Sequence, residues 1–169
     1  MWNDADEPIA YFITFRTYGS WLHGDERGSV NRHHNRYGTS KIQPEPKWHE
    51  KNTKRLLSEP VVLNARQRAC VKRAIKETCR VRRWSILALN IRTNHVHVVV
   101  TALGKPPGIV LNAFKANSTR LMRERNYWKS EKSPWVDKGS TRYLWNEKSV
   151  ILACNYVTVG QGDDLPEFE

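Results

Sequence analysis

Cysteine is scarce in this chain. Only Cys70, Cys79 and Cys154 occur among 169 residues, and no two form a Cys-x-x-Cys pair. On one helix Cys70 and Cys79 would stand about 13 Å apart, beyond the reach of a disulfide, so neither a disulfide scaffold nor a thiolate zinc site organises the fold. No apolar run reaches membrane length, and the opening Trp2-Asn3-Asp4-Ala5-Asp6-Glu7 is polar and acidic with no apolar signal core. The expectation is a soluble, cytoplasmic protein with no membrane association. A Walker loop is missing, as are internal repeats and low-complexity blocks. Acidic residues are outnumbered: 17 Asp and Glu face 28 Lys and Arg, a net charge of +11. Such a surface attracts polyanions, and because the basic residues are spread along the chain the pattern favours a folded phosphate-binding face over a basic arm.

What is present fits one domain spanning residues 1–169. Ile9 to Thr17 is rich in aromatic and branched residues and reads as a first buried strand ending at Gly19. From about residue 20 to 60 the chain is polar and punctuated by Gly24, Gly28, Gly38, Pro44, Pro46 and Pro60, a long excursion around one side of the domain. Asn64 with Gln67 makes a capping pair, and Val71, Ala74, Ile75 and Thr78 recur at helical spacing up to about Arg83. Arg66, Arg68, Lys72, Arg73, Lys76 and Arg80 take the outer positions of that helix. Trp84 to Ile91 and His95 to Thr101, joined by Arg92-Thr93-Asn94, read as an antiparallel hairpin. Pro106 and Pro107 open a second helix with Val110, Leu111, Phe114, Ser118, Leu121 and Met122 on one face, leaving Lys115, Arg120, Arg123 and Arg125 outward. A polar link containing Trp128, Pro134 and Trp135 leads to a short strand at Thr141–Trp145. Asn146 then caps a last helix carrying Val150, Ala153, Cys154 and Val157 inward and ending near Gly160. This order predicts an α+β, ferredoxin-like antiparallel sheet with helices packed on one face and the other face available.

The chemistry concentrates in the third strand. Alternate side chains share a face, so His95 and His97 project together about 7 Å apart at Cα while Val96, Val98 and Val100 face the other way. Two imidazoles so placed can grip one ion, although two histidines can also simply hydrogen-bond on an exposed sheet. They leave the shell incomplete, and an open shell suits catalysis on a phosphate that supplies oxygens of its own.

Asn94-His95-Val96-His97 resembles the histidine, bulky apolar residue, histidine signature of the HUH single-tyrosine transposases. The resemblance extends to the order of elements, to Phe114-Lys115 and Thr119-Arg120 after the site, and to a final helix bearing a tyrosine. Ala10 to Phe15, Tyr18 to Leu22, Gly24-Asp25-Glu26-Arg27-Gly28 and Gly139 to Trp145 are similar to the branch of REP-associated tyrosine transposases. It implies an enzyme that cleaves and rejoins single-stranded DNA, with hairpins as substrates, through a 5′-phosphotyrosine bond and with a divalent ion, Mg2+ or Mn2+. It also implies a homodimer. The position of the family's tyrosine is held by Tyr156, with Tyr143 and Tyr127 as lesser candidates. A polar amide shortly after the tyrosine completes the metal shell in relatives, and Gln161 is the nearest match. On an unbroken helix Gln161 diverges from Tyr156 by roughly 140°, so the helix must end or bend at Gly160 for it to reach the ion.

Seven tryptophans and six tyrosines in a basic chain suit base stacking beside phosphate contacts. Trp21, Trp128, Trp135 and Trp145 are the stacking candidates, and Lys115, Arg120, Lys138 and Arg142 the phosphate candidates, each against the plain alternative of packing or a solvated surface. His23, His33 and His34 stand in the polar excursion and receive no role. Two other functions compete: an inactive or domesticated relative that binds structured single strands without cutting, and a two-histidine phosphodiesterase. The latter needs a second His-x-Ser/Thr motif, which the sequence lacks.

Overall fold

The computed structural model describes residues 6–20, 59–162 and 165. Trp21, the Gly24–Gly28 turn, His23, His33, His34 and most of the polar excursion lie outside the described residues. Among the described residues, four strands and three helices follow in the order β1 (Ala10–Thr17), α1 (Ala65–Arg82), β2 (Ser85–Ile91), β3 (His95–Thr101), α2 (Pro107–Glu124), β4 (Trp135–Leu144) and α3 (Glu147–Thr158). The strands form one antiparallel sheet in the order β2-β3-β1-β4. The α+β architecture with an antiparallel sheet is as the sequence order indicates.

Register decides what each face carries. In β1, Tyr11, Ile13 and Phe15 stand opposite Val100, Val98 and Val96 of β3. These side chains form the main core with Val71 and Ile75 of α1 and Val110 and Phe114 of α2. The other parity, Phe12 and Thr14 of β1 opposite Val99 and His97 of β3, faces the opposite way. That face is not left open as expected. The third helix lies on it, with Ala153 and Val157 packed against Ala10, Phe12, Val99 and Leu144. The helix also lays its Tyr156 ring against Phe12 and His97 on this face.

Local signals explain the element ends. Asn64 caps α1 through a reciprocal box, its Oδ1 accepting from the Gln67 backbone N–H at 2.9 Å and the Gln67 Oε1 accepting from the Asn64 N–H at 2.9 Å. Proline at its first position starts α2, where the missing N–H costs no hydrogen bond. Asn146 caps α3 by accepting from the Ser149 N–H at 2.9 Å. The main departure is β4, which begins at Trp135 rather than at Thr141. Asp137, Lys138 and Gly139 obscure a strand pattern, yet Gly139 pairs with Phe15 and Trp135 with Thr17 of β1, on either side of a shift in the register. Gly139 is required there, since a Cβ would lie 2.7 Å from the Thr14 carbonyl oxygen.

Candidate active site

His95 and His97 share the face that α3 partly covers, and their ring centroids are 4.6 Å apart. Both are buried, at 8% and 3% exposure. Each ring is fixed through Nδ1: that of His95 lies 2.6 Å from the Asn94 Oδ1, and that of His97 lies 2.8 Å from the Thr14 Oγ1. With both Nδ1 atoms engaged, Nε2 is the nitrogen of each ring suited to a metal.

The last helix brings Tyr156 to the same place. Its ring meets that of His97 edge-on at 5.5 Å and that of Phe12 at 5.9 Å. The turn after α3 delivers Gln161. The helix ends at Thr158, and the N–H of Gly160 donates to the Tyr156 carbonyl at 3.1 Å. The Gln161 Nε2 also donates to that carbonyl, at 3.2 Å, which aims its Oε1 at the His95 Nε2, 3.3 Å away. The helix end expected at Gly160 comes two residues earlier, at Thr158.

Two imidazole nitrogens and one amide oxygen thus converge, with a phenol beside them. This donor set fits a divalent cation whose remaining positions go to water and substrate oxygens. Among the described residues no group of three or more His, Cys, Asp or Glu gathers elsewhere to hold a metal.

The sequence candidates for DNA contact divide. Arg142 stands opposite Phe12 in the register, on the histidine face, and Lys138 is exposed on the same edge strand. Trp145 is 47% exposed just before α3, stacked at a tilt on Tyr143 at 5.8 Å. Lys115 and Arg120 belong to α2, on the far side of the sheet. The Lys115 ammonium does not point outward as expected: it donates to the carbonyls of Val136 at 2.8 Å and Lys138 at 3.1 Å, where the register of β4 against β1 shifts. Burial pushes its pKa down, the nearby Asp137 opposing and Arg16 adding to the shift. Arg120 pairs with Glu124 at 2.8 Å. Trp135 is core rather than a stacking platform, 4% exposed and edge-on to Phe15 at 4.9 Å, because β4 starts with it. Trp128 packs against the main core and donates its Nε1–H to the Lys132 carbonyl. Of the lesser tyrosines, Tyr143 pairs with Tyr11 on the other face and Tyr127 packs on the main core.

Three residues at the site escaped the sequence reading. Thr14 holds His97. Arg16 stands opposite His95, with burial lowering its guanidinium pKa. Asn90 stands opposite His97 and donates its Nδ2–H to the Val157 carbonyl at 2.9 Å, tying α3 to the sheet. Their signal was the register of β1 and β2 against β3, which a strand pattern alone does not supply.

The sequence profile of the family described as "Transposase IS200 like" matches residues 51–158, well over half of the chain. The chain belongs to this family. It is thus a transposase, and the matched span carries both histidines and Tyr156. Among solved structures, the IS200-like chain is similar to a REP-associated tyrosine transposase bound to a REP hairpin, with a TM-score of 0.54 and 12% identity over 95% of this chain and 68% of that one. A putative transposase from Deinococcus radiodurans R1 resembles it at a TM-score of 0.48 and 11% identity, covering 92% of each. At such identities the likeness is one of fold. No curated relative matches the sequence. No helix among the described residues is long and apolar enough to cross a membrane.

Proposed function

We propose that this transposase cleaves and rejoins single-stranded DNA by attack of the Tyr156 hydroxyl on a backbone phosphorus, with hairpin DNA as the recognised form. The observation that carries this reading is the convergence of Tyr156, His95, His97 and Gln161 within one chain, the Tyr156 ring 5.5 Å from that of His97. In the reaction the Tyr156 Oη–P bond forms and the P–O3′ bond breaks. The phenolic proton passes to solvent and the departing 3′ oxygen gains one, leaving a 5′-phosphotyrosine and a 3′-hydroxyl. The phosphodiester energy is kept in the covalent link, so a second strand's 3′-hydroxyl can reverse the step without a nucleotide cofactor.

His95 and His97 through Nε2, and Gln161 through Oε1, would hold Mg2+ or Mn2+. When bound, the ion neutralises charge gathering on the phosphate oxygens. Thr14 and Asn94 orient the rings, and the flanking Arg16 and Arg142 lie on the face over which the phosphate must approach. The neighbouring fold that holds a REP hairpin supports hairpin DNA as the substrate. The arrangement of Tyr156 beside its own histidines supports attack within one subunit. A homodimer is the assembly in which two strand ends are handled together, and light scattering at twice the chain mass would support it.

Incubation of a labelled single-stranded oligonucleotide with the protein and Mn2+ is expected to give a covalent protein–DNA adduct. Tyr156→Phe is expected to abolish the adduct while leaving binding intact. An adduct formed by that variant overturns the assignment. Binding by the wild-type chain with no adduct under any divalent ion instead favours the non-cutting relative.

A further inference from the structure

The outer face of α1 and the cleft at the adjoining sheet edge form one basic row that the proposed cleavage site does not use. Within α1 seven Lys or Arg stand against one acid, Glu77. A helix face that merely meets solvent gains from alternating charges at four-residue spacing, as Arg120 and Glu124 do on α2. On α1 only Arg73 has an acid four residues on, Glu77. Lys72, Lys76 and Arg80 follow one another every four residues, each step rising about 6 Å along the helix. That step is commensurate with successive phosphates of a nucleic-acid strand. Lys76 and Arg80 are exposed and Lys72 is half-buried, and all three line one shallow groove with Arg73 and a single acid, Glu77.

Lys72 also lines a second cleft, of about 390 Å³, together with Arg68, Asn90, Arg92, Thr158 and Leu165. This cleft sits where the start of α1, the end of the edge strand β2 and the end of α3 meet. It adjoins the histidine site on three counts. The Arg92 N–H donates to the His95 carbonyl at 2.8 Å, Asn90 stands opposite His97, and Leu165 follows Gln161 by four residues. The row therefore runs from the histidine face around the β2 edge and along α1 on the far side of the sheet.

We infer that Arg92, Lys72, Lys76 and Arg80 form a phosphate track that carries the DNA backbone away from the cleavage site and around the β2 edge. The inference rests on the DNA-cleaving reading of the site, but binding to the track is measurable without cleavage. The ligand class is the sugar–phosphate backbone, held by charge and not by base identity.

The test uses Tyr156→Phe as parent, so that no cleavage intrudes, and the fluorescence anisotropy of a labelled 30-nucleotide oligonucleotide between low and moderate salt. Replacing Lys72, Lys76 and Arg80 by Gln is expected to flatten the slope of log affinity against log salt by about two units for a single strand, three contacts at about 0.7 each. The double variant Lys76→Gln/Arg80→Gln, whose altered side chains are both exposed, is expected to lose about 1.4 units on the same basis. Removal of the same charge elsewhere, by Lys105→Gln/Lys129→Gln/Lys132→Gln, is expected to leave the slope near that of the parent. Equal slopes in the track and control variants overturn the track. A run with a hairpin stem of equal length shows which form follows the track, and a slope loss with either upholds it. If the wild-type chain forms no adduct yet the track variants lose slope, the cleavage reading fails and the track stands.

Discussion

Gly160 lies against Tyr156 so closely that a Cβ there would come 2.8 Å from the Tyr156 carbonyl oxygen and 3.2 Å from its ring Cδ2. The oxygen has little room to yield, since it accepts from both the Gly160 N–H and the Gln161 side chain. The requirement for glycine is steric and not a matter of left-handed backbone, which at this turn falls to Gly162 at φ 81°. Gly160→Ala is expected to displace the ring or the turn that carries Gln161. A shift of about 1 Å at a reacting group costs on the order of 100-fold in rate. Adduct formation should fall accordingly while DNA binding is retained; a wild-type adduct rate in Gly160→Ala would show that the contact does not position Tyr156.

The Thr14 hydroxyl decides which nitrogen of His97 faces the site. Thr14→Val keeps the shape of the strand and removes the 2.8 Å partner of Nδ1. Loss of such an orienting partner lowers metal affinity about 10- to 100-fold. Calorimetric titration with Mn2+ is expected to register that loss in Thr14→Val and its recovery in Thr14→Ser. Unchanged affinity in the valine variant would exclude the orienting role.

The pattern of legibility follows from which forces are local. The capping box at Asn64 and Gln67, the proline start of α2 and the Val-rich parity of β3 are set by neighbours in sequence, and each was readable there. The His95–His97 pair was readable for the same reason, because two residues of one strand share a face whatever the strand pairs with. Thr14, Arg16 and Asn90 were not, since they join the site only through the pairing of β1 and β2 with β3. Trp135 misled because Asp137, Lys138 and Gly139 hide an edge strand whose pairing comes from β1. Lys115 misled because helical position gives the direction of a side chain's root, while its ammonium curls back to the carbonyls of Val136 and Lys138 in β4.

The main core depends on the contact of α2 with the sheet. Phe114 is fully buried and meets Trp84 edge-on at 6.1 Å. Phe114→Ala is expected to cost about 3–5 kcal/mol, enough to unfold a marginal domain. Urea denaturation checks it; a loss below about 1 kcal/mol would mean that the surrounding side chains collapse into the space.

Cys79 gives the stability a pH dependence on the alkaline side. Burial pushes its thiol from 9.0 up to about 11. The folded chain thus keeps a proton that the unfolded chain releases earlier, so the contribution is fully present below pH 9.0 and is lost as pH rises through about 11. Thermal unfolding midpoints should decline across that window, and Cys79→Ala should remove part of the decline. Below pH 9 the native thiol is expected to resist alkylation, and ready labelling of Cys79 in folded protein would contradict its burial.

Asn90 ties the tyrosine helix to the sheet at the end that matters most. The Val157 carbonyl belongs to the last turn of α3, where helical carbonyls lack partners of their own, and the Asn90 amide donates to it at 2.9 Å. Beside that bond Ala153 and Val157 are fully buried against the sheet, with Val150, Cys154 and Tyr156 packed around them, so the end of α3 is where its anchoring is concentrated. Asn90→Ala is expected to cost about 1 kcal/mol and to speed amide exchange over residues 153–160. Asn90→Asp should be worse, because a carboxylate oxygen then confronts a carbonyl oxygen with no donor between them. The predicted order of protection, Asn above Ala above Asp, should be matched by adduct yield, since each step loosens the turn that sets Tyr156 and Gln161 together. Equal exchange in the Asp and wild-type proteins would place the anchor of α3 elsewhere.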